Sequence, residues 1–209
     1  MWKAGAVPKK VDHHERREQI ASALMRVAAR DGLEAVSLRH VAAEAGVTSG
    51  MVQHYFPTKD QMMLFAMRSA SARYEQRMAE AVGELGEHPA PRDLVGAVLR
   101  TLLPTDEEQQ ADARVALAFQ SYAALNPPAA DGLSSDGAQF RAFIADLVRD
   151  GRPPGGAAAA VDPTRAATAL FAVAEGLGVH MLSSGLPVDA ALSALEAQLD
   201  LTFGSDVSP

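Results

Sequence analysis

The chain has 209 residues, 48% apolar and 22% charged, which is the composition of a folded protein with an ordinary core and excludes a disordered one. It contains no cysteine, so a disulfide scaffold and cysteine-ligated zinc are excluded, and a reducing, cytoplasmic setting is expected. The formal net charge of −7 is uneven: residues 1–60 hold nine Lys/Arg against seven Asp/Glu, and residues 61–209 hold ten against nineteen, so a slightly basic head precedes an acidic body.

Ala, Leu, Glu and Arg are plentiful and alternating β-branched runs are almost absent, so an all-α fold is expected. The first helix is predicted over 12–31, with Ile20, Leu24, Val27 and Ala28 on one face and a stop at Asp31-Gly32. Short helices follow over Ser37–Ala45 and Ser49–Phe56, then a long one over 58–83. After the Gly/Pro-rich break at 86–91, helices are expected at 92–103, 106–125, 134–150, 163–184 and 188–203. No apolar run is read as a membrane span, and no membrane partner is expected.

The informative stretch is Ser37–Phe56. Leu38, Val41, Ala42 and Ala45 share one helical face, Gly46 suits a left-handed helix end, and Thr48 offers a hydroxyl to cap the next helix. With Val52 and Phe56 assigned to the core, Gly50, Met51, Gln53 and His54 point outward, flanked by Ser49 and Tyr55. A major groove accepts one such helix: Gln bridges adenine N6 and N7, and Met touches a thymine methyl. Spacing alone also fits a plain helical hairpin whose polar face meets water.

Residues 16–67 resemble the DNA-binding region of the TetR family of bacterial repressors. The likeness rests on Ser37-Leu38-Arg39, Val41-Ala42, Ala45-Gly46-Val47, Gly50, Tyr55-Phe56 and Lys59, after a first helix ending Asp31-Gly32. The usual family tyrosine in mid recognition helix is here Gln53, a variant similar to the choline-responsive BetI branch, as is Ala113–Phe119. The resemblance implies a sequence-specific DNA-binding regulator, by family default a repressor released by a small molecule. It implies that Arg39 reaches a base or phosphate, that Thr48, Ser49 and Met51 are recognition-helix positions, that His54 and Tyr55 contact the backbone, and that Lys59 holds a phosphate. Base readout and phosphate contact are both open for Gln53.

The expected organisation is a helix-turn-helix domain over 12–58 and an all-helical effector-binding and dimerisation domain over 59–204. The resemblance implies a homodimer on palindromic double-stranded operator DNA. Leu170, Val173, Leu177 and Met181, with Leu192, Leu195 and Leu199, have spacing that fits either a dimer seam or packing within one protomer. Candidate effector-pocket residues are Met63, Met67, Phe119, Gln120 and Tyr122, with Phe140, Phe143, Phe171, Glu175 and His180. Core packing is the alternative for the apolar ones. No cofactor and no metal are expected, since His13-His14 reads as a solvated pair. The chain lacks a phosphate loop, an H-E-x-x-H pair and a nucleophile elbow, which argues against an enzyme. The remaining rival is a helical interaction protein without DNA binding.

Overall fold

The computed structural model describes residues 13–152, 154–155 and 160–204, with the side chains of 127–134 set aside. Among the described residues the structure is helical, without strands. The chain divides into two compact units, one up to Ser69 and one from Ala70 onward.

The first unit is built from α1 (His13–Asp31), α2 (Leu38–Ala45), α3 (Ser49–Tyr55) and the start of α4 (Lys59–Gly83), which continues past the division. The predicted stripe of α1 is buried, and Ala21, Ala23 and Met25 widen it. It packs on Val41, Ala42 and Ala45 of α2, whose small side chains let the helices approach closely. Outside this core, Arg26 Nε and Arg30 Nη1 hold Glu44 at 2.7 and 3.1 Å, and Gln19 Nε2 donates to the Ala45 carbonyl at 3.1 Å. The two guanidiniums hold the Glu44 carboxyl below the usual range. Phe56 and Phe65 meet at 5.5 Å between centroids, and the Arg17 guanidinium lies over both rings.

The second unit contains the rest of α4, then α5 (Pro91–Arg100), α6 (Glu107–Leu125), α7 (Pro127–Gly151), α8 (Pro163–Ser183) and α9 (Val188–Phe203). Its core joins Val95, Leu99 and Leu103 to Ile144 and Val148, and these to Leu170, Leu195 and Leu199. The α7 helix begins at Pro127, seven residues before its predicted start. The Asn126-Pro127-Pro128 sequence does end α6, but proline is also favoured in the first helical turn, where no N–H is needed, so the same residues open α7.

The membrane expectation needs one correction. Helix α8 is long and apolar enough to cross a membrane by length and composition alone. Here Ala166, Ala167, Leu170, Ala174 and Gly178 of that helix are buried in the protein core.

Candidate nucleic-acid interface

The Ser37 hydroxyl opens α2 by accepting from His40 N at 3.2 Å. Gly46 closes it at φ 67°, ψ 32°. Val47 N donates to Ala42 O at 3.0 Å and Gly46 N to Ala43 O at 3.3 Å, the paired bonds of a Schellman turn. The chain is thereby turned within three residues, and the Thr48 hydroxyl starts α3 by accepting from Met51 N at 3.1 Å. The resulting corner is an α-helical hairpin of helix-turn-helix shape.

Helix α3 is strongly two-sided. Val52 and Phe56 are both 0% exposed, whereas Ser49, Gly50, Met51, Gln53 and His54 are exposed. Thr48, Arg39 and Lys59 are exposed as well, and Tyr55 is half-buried. Tyr55 sits between two imidazoles, 4.7 Å from His13 at the start of α1 and 5.3 Å from His54. The fold therefore brings the predicted reading residues onto one open face of the first unit. His13, which sequence reasoning left as solvated, joins them through the Tyr55 ring; no periodicity signals that contact, because it is made across helices.

The second unit holds a cleft of about 590 Å³, counted with its open mouth, lined by Tyr74 of α4, Leu102, Leu117, Gln120, Phe171 and Glu175, among others. Gln120 Nε2 donates to Glu175 Oε1 at 2.7 Å. Burial pushes the Glu175 carboxyl up, partly offset by that hydrogen bond and by Arg141. Glu175 is the one charged side chain among the lining residues. Beside the cleft, Asp112 of α6 is 5% exposed and is gripped by Arg73 and by Arg77 Nη1 at 2.7 Å, while Arg77 lies over the Tyr74 ring.

Several expectations fail here. Met63 and Met67 are core residues of the first unit and do not line this cleft. Phe119 is buried, Phe140 packs on Phe171 at 5.1 Å beside the core, Tyr122 is half-buried off the cleft, and Phe143 and His180 face outward. Of the predicted set, Gln120, Phe171 and Glu175 line it. Tyr74 and the small Ala113, Ala116 and Gly178 were missed because they look like ordinary helix filling until a space opens beside them. The dimer-seam expectation also changes. Leu170, Leu195 and Leu199 are 0% exposed within one protomer, so they cannot meet a partner, and Val173, Leu177, Met181 and Leu192 are half-buried. Heptad-like spacing served the protomer core.

Comparison with known proteins decides the identity of this arrangement. Residues 20–65 match the family described as bacterial regulatory proteins, tetR family, and residues 91–204 match the BetI-type transcriptional repressor C-terminal domain. The chain belongs to the TetR family. It is 32% identical over 183 residues to the HTH-type transcriptional regulator PksA of Bacillus subtilis, covering 84% of this chain and 83% of that one. A transcriptional regulator from Rhodococcus sp. superposes with a TM-score of 0.80 at 33% identity, covering 92% and 99% of the two chains. A regulator from Saccharomonospora viridis, solved in complex with choline, shares the fold at a TM-score of 0.76 and 24% identity, over 90% and 96%. The protein is thus a TetR-family helix-turn-helix transcriptional regulator of the repressor type with a ligand-binding C-terminal domain. Its family and relatives are regulators and not enzymes.

Proposed function

We propose that this regulator reads a palindromic operator as a cytoplasmic homodimer and is released when a small organic cation enters the cleft of the second unit. The observation that carries the DNA reading is the division of α3 into a face locked by Val52 and Phe56 and a face left open by Gly50, Met51, Gln53 and His54. In this reading α3 lies in the major groove. Met51 and Gln53 touch base edges, while Thr48, Ser49, His54, Tyr55 and Lys59 hold phosphates, and Arg39 reaches in from α2.

The exposed stripes of the last two helices support pairing with a second copy. On α8 they run through Ala169, Ala172 and His180, and on α9 through Ala190, Ala194, Ala197 and Leu201. Small side chains repeated along two neighbouring helices let a partner's helices approach closely, as in a four-helix bundle about a two-fold axis. Two reading helices would then meet successive major grooves about 34–36 Å apart.

For the effector, the cleft combines Tyr74 and Phe171 rings with one carboxylate. A cation relieves the cost of keeping Glu175 ionised out of water, and an anion adds to it. The choline-bound Saccharomonospora relative supports that class. Ligand acts by favouring one conformer over another, to the extent that it binds the two differently.

The test is selection of DNA from random sequence by the purified protein, followed by anisotropy titration of the selected duplex. Tyr55→Ala and Lys59→Ala are expected to weaken binding, and Gln53→Ala to change the preferred sequence. Selection that enriches nothing would falsify the DNA reading. Calorimetry with choline and with its uncharged carbon isostere tests the effector class, and equal binding of the two defeats it.

A further inference from the structure

The folded reading unit is short of positive charge. Between Asp12 and Ser69, seven Lys/Arg balance seven Asp/Glu, for no net charge. Of those seven cations, Arg26 and Arg30 are paired with Glu44 and Asp31, and Arg17 is stacked on Phe56 and Phe65. Arg39 and Lys59 are the cations at the reading positions. The acidic remainder of the chain adds repulsion, since residues 61–209 carry nine more Asp/Glu than Lys/Arg.

Operator binding is driven largely by phosphate neutralisation, and a dimeric regulator makes on the order of six to ten such contacts. Each head therefore needs about three to five. Arg39 and Lys59 supply two, so further cations must come from elsewhere in the chain.

They are present in the sequence immediately ahead of α1. Residues 1–11 contain Lys3, Lys9 and Lys10 and no Asp or Glu, and so hold the whole positive excess of the first unit. The structure fixes where this stretch joins the fold. The first residue of α1, His13, is stacked 4.7 Å from Tyr55 at the C-terminal end of the reading helix. The join is therefore on the open reading face, next to a side chain assigned above to the DNA backbone. Eleven residues reach at most about 36 Å, more than enough to cross the backbone beside the major groove into the adjoining minor groove, which is about 6 Å wide. Basic N-terminal arms serve other helix-turn-helix proteins in this way.

We propose that Lys3, Lys9 and Lys10 form a second DNA contact, neutralising phosphates along the minor groove that flanks each half-site. The proposal rests on the DNA reading given above. The reading helix then supplies the sequence preference, and the lysines supply much of the affinity and its salt dependence.

The test compares the full-length wild-type chain with the triple variant Lys3→Ala/Lys9→Ala/Lys10→Ala on the duplex recovered by selection. Affinity is measured by anisotropy across a series of salt concentrations. The expected result is binding at least about tenfold weaker near 0.15 M salt, with a log–log salt slope shallower by about 2 to 5 for the dimer. The preferred sequence and the melting temperature stay unchanged. Hydroxyl-radical protection of the flanking minor groove is expected to vanish, and a triple Lys→Arg variant keeps both the slope and the protection. A triple-alanine variant with the wild-type slope and protection overturns the proposal while leaving the DNA reading intact. A wild-type chain that selects no sequence removes both.

Discussion

Gly46 is the position where one atom added to the backbone tests the helix-turn-helix most directly. Its φ of 67° and ψ of 32° lie in the left-handed region. A Cβ built there meets nothing within 4 Å, so the cost of a side chain is purely one of backbone conformation. A non-glycine residue in that region costs about 1–2 kcal/mol, against which alanine recovers part by restricting the unfolded chain. Gly46→Ala should therefore destabilise by about 1 kcal/mol, or about 2–4 °C in melting temperature for a chain of this length. Asn tolerates the left-handed region and should cost less; Val, branched at Cβ, should cost more. Circular-dichroism melts of the three variants measure the order, and anisotropy on the selected operator measures whether the angle between α2 and α3 survives. Equal melting of Gly46→Ala and wild type, or Val no worse than Asn, would show that the turn does not depend on the left-handed geometry.

The other predictions probe the second unit. Gly178 differs from Gly46: an added Cβ would sit 3.0 Å from the Leu102 carbonyl oxygen, a backbone atom that cannot swing away, so Gly178→Ala should lower the melting temperature by forcing α8 outward. At Gly176 the same substitution meets nothing within 4 Å and should leave the protomer as stable or more so, since alanine favours helix by about 1 kcal/mol over glycine. The raised Glu175 carboxyl favours the folded state when protonated. That contribution is present below the ordinary carboxylate range and is lost as pH rises through the raised value. Glu175→Gln should therefore melt higher than wild type at neutral pH, with the gap closing in acid; a constant gap from pH 4 to 8, on a scale set by the reference carboxylate near about 4.3, rejects the linkage. Choline binding, which uses the ionised form, should strengthen as pH rises through the same range and be lost in the Gln variant. Leu201, 72% exposed on α9, should tolerate Asp within the protomer. If that stripe is the dimer seam, Leu201→Asp gives a monomer by light scattering, and an unchanged dimer places the seam elsewhere.

The reading unit was largely legible because its determinants are local. The Ser37 and Thr48 caps, the left-handed Gly46 and the apolar face of α2 act over three or four residues, and the structure places them as expected. Core assignment of Val52 and Phe56 followed from helical periodicity, and both are fully buried. The second unit was legible as helices but not as surfaces. Leu170, Leu195 and Leu199 have the spacing of a seam and also the spacing of a core, and periodicity identifies a buried face without saying what buries it.

The cleft illustrates the same limit from the opposite side. Its walls include Ala113, Ala116 and Gly178, residues chosen for what they leave empty, and no local pattern distinguishes an empty space from tight packing. Its polar group was visible in the sequence as a glutamate, but its meaning depends on partners far along the chain. Gln120 lies 55 residues away and fixes the carboxylate, and the Tyr74 ring is placed beside Arg77, which is itself held by Asp112 of α6. A ligand settling against Tyr74 and Glu175 thus touches two helices joined by a buried ion pair, and Asp112 links the cleft to α4, the helix that begins in the reading unit. Breaking that link with Asp112→Asn should leave choline binding by calorimetry near the wild-type value while reducing choline's effect on operator affinity. An unchanged effect would mean that coupling runs through apolar packing and not through the ion pair.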